Sequence, residues 1–113
     1  MRQSLSSVLA IAVAAMILVA CLGTSQTGNI ARANSRYKGG DYVGTIELAD
    51  FVLGQGPVND EIGAQAGLLK ASSLDALGRR QEAIAVYRYL VETYSDSVSG
   101  AQAAGRLAEL EGD

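Results

Sequence analysis

Apolar residues are distributed along the chain in two different ways. From Val8 to Ala20 they form an unbroken run, and after residue 29 they recur at intervals of three and four residues. That spacing places side chains on one face of an α-helix, and no stretch alternates apolar and polar positions over the length of a strand. The recurring positions fall into five groups: Ile30, Ala33, Tyr37; Tyr42, Ile46, Ala49, Leu53; Ile62, Ala66, Leu69, Leu77; Ala83, Tyr87, Leu90, Tyr94; and Ala101, Ala104, Leu107, Ala108. The pattern predicts five helices and an all-α fold.

Residues that end or cap helices lie between these groups. Glycine or proline occurs at 39–40, 54–57 and 78, and a Ser-Asp-Ser stretch occupies 95–97. The residue types favoured at helix N-caps predict caps at Asp41, at Asn59 or Asp60, and at Asp96 or Ser97. We therefore expect five helices of about 10–18 residues joined by short turns.

Two segments of the chain match each other when the sequence is shifted by 38 positions. Residues 37–53 are then a loose copy of residues 75–91 in size and polarity, with few identities. The matched pairs are Ala33 and Ala71, Gly40 and Gly78, Ile46 and Ile84, Leu48 and Val86, Val52 and Leu90, and Leu53 and Val91. A repeat of this length built from two helices indicates an α-solenoid, and a generic five-helix bundle is the alternative.

The apolar run at the N terminus follows a single basic residue, Arg2. As a helix it would be roughly 20 Å long at about 1.5 Å per residue, which is short for a bilayer core of about 30 Å. That length is typical of the apolar region of a secretory signal. Extending the run to residues 5–22 gives a borderline length, so an uncleaved single-pass membrane helix stays open as an alternative.

The run ends at Leu18 to Cys21 with the residues LVAC, which resemble the lipobox of bacterial lipoproteins. The resemblance implies a signal peptide over 1–20, cleavage before Cys21, and lipidation of Cys21 by acyl chains such as palmitate. Because each buried CH₂ contributes about 0.8 kcal/mol, two or three acyl chains hold a protein on a membrane. Leu22 follows the cysteine, and by the enterobacterial sorting rule a residue other than Asp there implies the outer membrane, with the domain facing the periplasm.

The next residues are polar and rich in Gly, Ser and Thr. This composition predicts a flexible lipidated tether over 21–29, leading to a helical domain over 30–111.

Within 30–111 the small and aromatic positions resemble those of the tetratricopeptide repeat. The residues that carry the resemblance are Ala71, Gly78, Ala83, Tyr87 and Leu90 in the second copy, and Ala33, Gly40, Tyr42, Thr45, Ala49 and Val52 in the first. Thr45 departs from the family's alanine, and Ala49 departs from its aromatic residue. The resemblance implies a short α-solenoid of two tetratricopeptide-like helical hairpins plus a C-terminal capping helix.

In that family, ligands bind in a concave groove lined by the first helix of each hairpin. The matching positions here are Ile30, Asn34, Tyr37, Gln65, Leu68, Ser72 and Asp75. Tyr89 is a further candidate on a separate argument, because it lies off the apolar stripe of its helix and tyrosine is favoured at interfaces. These residues are the expected partner-binding set.

Composition and charge narrow the range of functions. Acidic residues outnumber basic ones 12 to 9, which disfavours sequence-independent binding of nucleic acid. There is no His and no Trp, and there is one Cys, which excludes a His-based triad, a Cys/His zinc site and an intrachain disulfide. The carboxylate pairs at 60–61 and 109–111 lie near predicted helix ends. We therefore expect no enzymatic activity, no cofactor and no metal.

Glycine occurs inside the predicted helices as well as between them. Gly44, Gly63, Gly67 and Gly105 each cost about 0.8–1 kcal/mol relative to Ala, although small residues let helices approach closely. A core of small residues predicts a domain stabilised by self-association or by a partner. The expected function is that of a membrane-anchored envelope adaptor or scaffold for other envelope or membrane proteins, and the alternative is a structural lipoprotein that self-assembles.

Overall fold

A computed structural model describes residues 2–112, with side chains described for 7–14 and 25–112. Every regular element in this part of the chain is an α-helix. The helices are α1 (Arg2–Lys38), α2 (Tyr42–Gln55), α3 (Asp60–Ala76), α4 (Arg80–Thr93) and α5 (Val98–Gly112). The predicted all-α class is confirmed.

The helix starts follow from the predicted capping residues. Asp41 accepts a hydrogen bond from the Gly44 amide at 2.9 Å, and Asn59 accepts one from the Ile62 amide at 2.9 Å. At the start of α5 the Ser97 hydroxyl accepts from the amide of Gly100, also at 2.9 Å. Each cap satisfies an amide that has no partner inside its helix.

The helices pack in sequence and form two layers. Each helix packs antiparallel against the next, while α1 contacts α3 and α3 contacts α5. The odd-numbered helices therefore form one layer, and α2 and α4 lie in the other. This is the arrangement of a short α-solenoid with a final capping helix, as the sequence predicts.

The two hairpin turns are built in the same way. Gly40 and Gly78 have φ angles of +82° and +77°, the left-handed conformation that glycine adopts without strain. Equivalent amides donate to equivalent carbonyls: Gly40 to Tyr37 and Gly78 to Asp75, both at 3.0 Å, and Asp41 to Arg36 and Arg79 to Leu74, both at 2.9 Å. This pair of bonds is a Schellman motif. The 38-residue repeat is therefore present in the backbone as well as in the residue pattern.

Two clusters of buried residues form the core. The larger lies between α3, α4 and α5, and its residues are Ala71, Leu74, Ala83, Tyr87, Leu90, Ala103, Leu107 and Leu110. The smaller lies between α1, α2 and α3, and its residues are Ile30, Val52, Ile62 and Ala66. Most of the apolar burial is thus in the second hairpin and its cap.

The first helix is longer than the sequence predicts. The segment expected to be a flexible tether, 21–29, is helical in the structure, because α1 continues without a break to Lys38. Gln26 is only 1 % exposed, so packing of the domain begins there and not at Ile30. Cys21 and the predicted cleavage position lie outside the residues whose side chains are described.

Among the residues that the structure describes, no helix has both the length and the apolar character needed to cross a bilayer.

Candidate functional site

The layer formed by α1, α3 and α5 carries two adjoining hollows. They have volumes of about 470 Å³ and about 430 Å³, and Leu68 of α3 lies in the lining of both. We call the continuous surface made by these two hollows the groove. The helices α1, α3 and α5 each contribute side chains to the lining. The groove therefore forms only when both hairpins and the capping helix are packed together.

The hollow nearer the start of the packed region is lined by aliphatic and uncharged polar residues. These residues are Thr27, Ile30, Ala31, Asn34, Gln65, Leu68, Leu69 and Ser99. The Gln65 side chain donates to the Glu61 carboxylate at 2.7 Å, one turn earlier on α3. In such a hollow, side-chain amides can hydrogen-bond to the backbone of a bound peptide, while the aliphatic residues bury one of its apolar side chains.

The second hollow contains the charged groups of the groove. It is lined by Tyr37, Leu68, Ser72, Asp75, Ala76, Tyr87, Gln102 and Arg106. Arg106 Nε lies 2.6 Å from Asp75 Oδ2, and its Nη2 lies 3.1 Å from Asp75 Oδ1. This two-pronged ion pair joins α3 to α5 across a sequence separation of 31 residues.

Ionisation states in this hollow follow from the pair. Hydrogen bonding by Arg106 lowers the pKa of Asp75 below its ordinary value, although partial burial opposes the shift. The Asp75 and Glu109 carboxylates raise the pKa of Arg106. Burial raises the pKa of Tyr87, whose hydroxyl donates to Ser72 Oγ and Asp75 Oδ2 at 3.4 Å. The two charges that line the groove neutralise each other.

The structure brings together all seven groove positions that the repeat register selects. Ile30, Asn34, Gln65 and Leu68 line the first hollow, and Tyr37, Ser72 and Asp75 join Leu68 in the second. Tyr89 does not belong to the groove. It lies on α4 in the other layer, 53 % exposed, with its ring 6.2 Å from that of Tyr94.

Several lining residues were missed by the sequence argument. Gln102 and Arg106 come from α5, and Thr27 comes from the segment expected to be a tether. The sequence does contain a sign that these two residues share a face of α5. Gln102 and Arg106 are one helical turn apart, and they directly precede the core residues Ala103 and Leu107. Thr27 carried no such signal.

The side chains that line the groove are mostly uncharged. Among the described residues, no group of three or more His, Cys, Asp or Glu side chains is placed so that it could hold a metal ion. The groups that face the groove are amides, hydroxyls, aliphatic carbons and one internally compensated ion pair.

Comparison of the chain with protein-family models, with curated proteins and with solved structures gave no match.

Proposed function

We propose that this protein is a lipid-anchored envelope protein whose tetratricopeptide-like domain is an adaptor for another envelope or membrane protein. The observation that carries the proposal is the groove, in which residues chosen by repeat register from two distant segments lie side by side. The partner is a protein segment, extended or helical, that presents uncharged polar groups and aliphatic side chains.

The start of α1 supports the anchor. Its described apolar side chains Val8, Leu9, Ile11 and Val13 are all more than half exposed. A helix that exposes large aliphatic groups in this way is suited to a membrane or to the export machinery rather than to water. The LVAC sequence ending at Cys21 adds the thiol at which a lipid would be attached.

The paired turns support kinship with tetratricopeptide repeats. Equivalent Schellman motifs at Gly40 and Gly78, together with the layer of odd-numbered helices, are what a repeated helical hairpin produces. The capping helix α5 completes one wall of the groove. We place the domain in the periplasm at the outer membrane on the sorting argument from Leu22.

Self-assembly is the second candidate function. Phe51 and Tyr89 occupy equivalent positions of α2 and α4, and both are 53 % exposed. Repeated exposed aromatic side chains on the outer layer would suit contact between copies of this chain. An uncleaved membrane helix is a further alternative for the anchor.

Two measurements test the proposal. Mass spectrometry of the membrane-extracted protein should find a mature N terminus at Cys21 carrying diacylglycerol and an acyl chain. A product that retains residues 1–20 would contradict the lipid anchor and favour the uncleaved membrane helix.

The adaptor role is tested with a photo-crosslinking residue at Asn34 and, separately, at Gln102, on opposite walls of the groove. In native membranes both should capture the same heterologous protein, and the double variant Leu68→Asp/Gln65→Arg should abolish the capture. A matched probe at Gln81, on the exposed face of α4, should not capture it. Crosslinks only between copies of the chain would favour self-assembly instead.

A further inference from the structure

The packed domain starts very close to the predicted anchor. The buried side chain of Gln26 donates from Nε2 to the Gly56 carbonyl at 3.0 Å, and its Oε1 accepts from the Val58 amide at 2.9 Å. These two bonds hold the first packed turn of α1 against the connection between α2 and α3. Cys21 lies five positions before Gln26, a span of about 7.5 Å as a helix and about 17 Å fully extended. The connection at 56–59 therefore stays near anything that holds residue 21.

The connection between α4 and α5 lies at the same end of the domain. Since successive helices are antiparallel, residues 56–59 and 94–97 both join helices at the end from which α1 enters. Tyr94 and Pro57 both approach Gly63 of α3: a Cβ at Gly63 would lie 3.0 Å from Tyr94 Cζ and 3.3 Å from Pro57 Cγ. We call residues 56–61 and 94–98 the anchor-proximal end.

Each connection presents one exposed valine. Val58 is 47 % exposed, and Val98, at the first position of α5, is 71 % exposed. Single exposed valines are ordinary on a protein surface. Here, however, both valines lie at the anchor-proximal end, which Gln26 keeps close to Cys21. Their exposed apolar area is available for contact with another surface.

The charge of the anchor-proximal end indicates which lipid headgroups it could contact. Asp60, Glu61 and Asp96 lie in or beside the two connections, and neither connection contains Lys or Arg. Basic clusters draw proteins to anionic lipids, whereas acidic residues are repelled by them. A contact made here would therefore be apolar, with lipids whose headgroups carry no net charge.

We propose that the anchor-proximal end rests on the membrane, with Val58 and Val98 entering the headgroup region of zwitterionic phospholipid. This inference rests on the proposed membrane anchor. The anchor keeps the domain at a high effective concentration beside the bilayer, so a small apolar contact is sufficient to orient it. In that orientation the helices run away from the lipid, the hollow lined by Thr27 and Ser99 is nearest the membrane, and the Asp75–Arg106 pair is farther from it.

The test uses the full-length protein purified with its anchor and reconstituted into phosphatidylcholine vesicles. An environment-sensitive fluorophore is attached to the cysteine of Val58→Cys, Val98→Cys or, as the matched control, Leu77→Cys. Leu77 is also an exposed aliphatic residue, but it lies at the opposite end, in the turn after α3. A lipid spin label placed near the headgroup should quench the probes at 58 and 98 several-fold more strongly than the probe at 77.

The outcomes distinguish this inference from the anchoring proposal. Vesicle-bound protein whose probe at either 58 or 98 is quenched no more than the probe at 77 would overturn the orientation and leave the anchor standing. Release of the unsubstituted chain from the vesicles would overturn both. Adding phosphatidylglycerol should weaken the quenching at 58 and 98, and an increase would contradict the apolar contact; unchanged helicity by circular dichroism controls for folding.

Discussion

The buried positions of α2 hold Thr45, Ala49 and Val52, whereas the equivalent positions of α4 hold Ala83, Tyr87 and Leu90. The side chains thus differ between the hairpins, although the turns that precede them have equivalent hydrogen bonds. The comparison shows that the left-handed glycine and its Schellman bonds determine the hairpin, while the neighbouring helices determine how much volume its interior must fill.

Stability should be concentrated in the second hairpin. It is packed on both sides, by the first hairpin and by the capping helix α5, and it contains the larger buried cluster. The outer side of the first hairpin faces water. Its core is built from smaller side chains than the core of the second hairpin.

Leu90→Ala should lower the free energy of unfolding by about 2–5 kcal/mol, because Leu90 is fully buried at the centre of the larger cluster. Val52→Ala is the matched change in the first hairpin, and it should cost less, since it removes one carbon fewer at about 0.8 kcal/mol per CH₂. Urea unfolding of both variants measures the difference. An equal or larger loss for Val52→Ala would contradict the asymmetry.

Gly67→Ala should destabilise the protein by about 1–3 kcal/mol, as overpacking of a core does. A Cβ there would lie 2.5 Å from Leu90 Cδ2, and Leu90 is fully buried in the core. Gly105→Ala is the control: nothing lies within 4 Å of its Cβ position, so helix propensity alone should stabilise it by up to about 1 kcal/mol.

The double variant Gly67→Ala/Leu90→Val sharpens this test. Shortening Leu90 makes room for the new methyl group, so the two losses should be less than additive. Additive losses in the urea transitions would mean that close contact between α3 and α4 is not the reason for glycine at this position.

Ser73→Ala should stabilise the protein by about 1 kcal/mol, since removing an unsatisfied polar group removes its desolvation cost. Ser73 is fully buried, and its Oγ has no hydrogen-bond partner among the described residues. Ser35 is its equivalent in the first hairpin and is exposed, so Ser35→Ala should change the thermal midpoint little. A loss of stability in Ser73→Ala would show that the hydroxyl makes a favourable contact.

The smallest effect should be a pH dependence carried by Asp75. Its pKa is lowered in the folded state, so its contribution is present at neutral pH and is lost as pH falls through the folded pKa, below the ordinary value of about 3.9. Asp75→Asn should therefore be less stable than the natural chain at pH 7, and the difference should be smaller at pH 3. Parallel thermal midpoints at the two pH values would contradict a contribution from the ion pair.

Much of the fold was predictable because its determinants are local. Asp41 and Asn59 each cap a helix whose start they immediately precede, and Gly40 and Gly78 mark turns that few other residues could form. The layer of odd-numbered helices follows from the repeat. The positions of the groove residues could therefore be chosen by register alone.

The remaining features depend on contacts between distant residues, which composition does not report. The segment around Gln26 has the composition of a linker, yet its bonds are to residues 30 and 32 positions away. From the sequence alone Arg106 is an ordinary charged residue of the last helix. Its ion pair with Asp75 exists only because α5 packs against α3. Tyr89 has the type favoured at interfaces, but its type does not tell which layer it occupies.

The equivalence of Gly40 and Gly78 has a consequence for how such a protein could change in evolution. Residues 41–78 form a cassette that starts and stops at the same point of the repeat. Duplication of that cassette after Gly78 would insert one more pair of helices without disturbing the phase of those that follow. The length of the groove is thus set in steps of one hairpin, while α1 and the terminal capping helix stay unchanged.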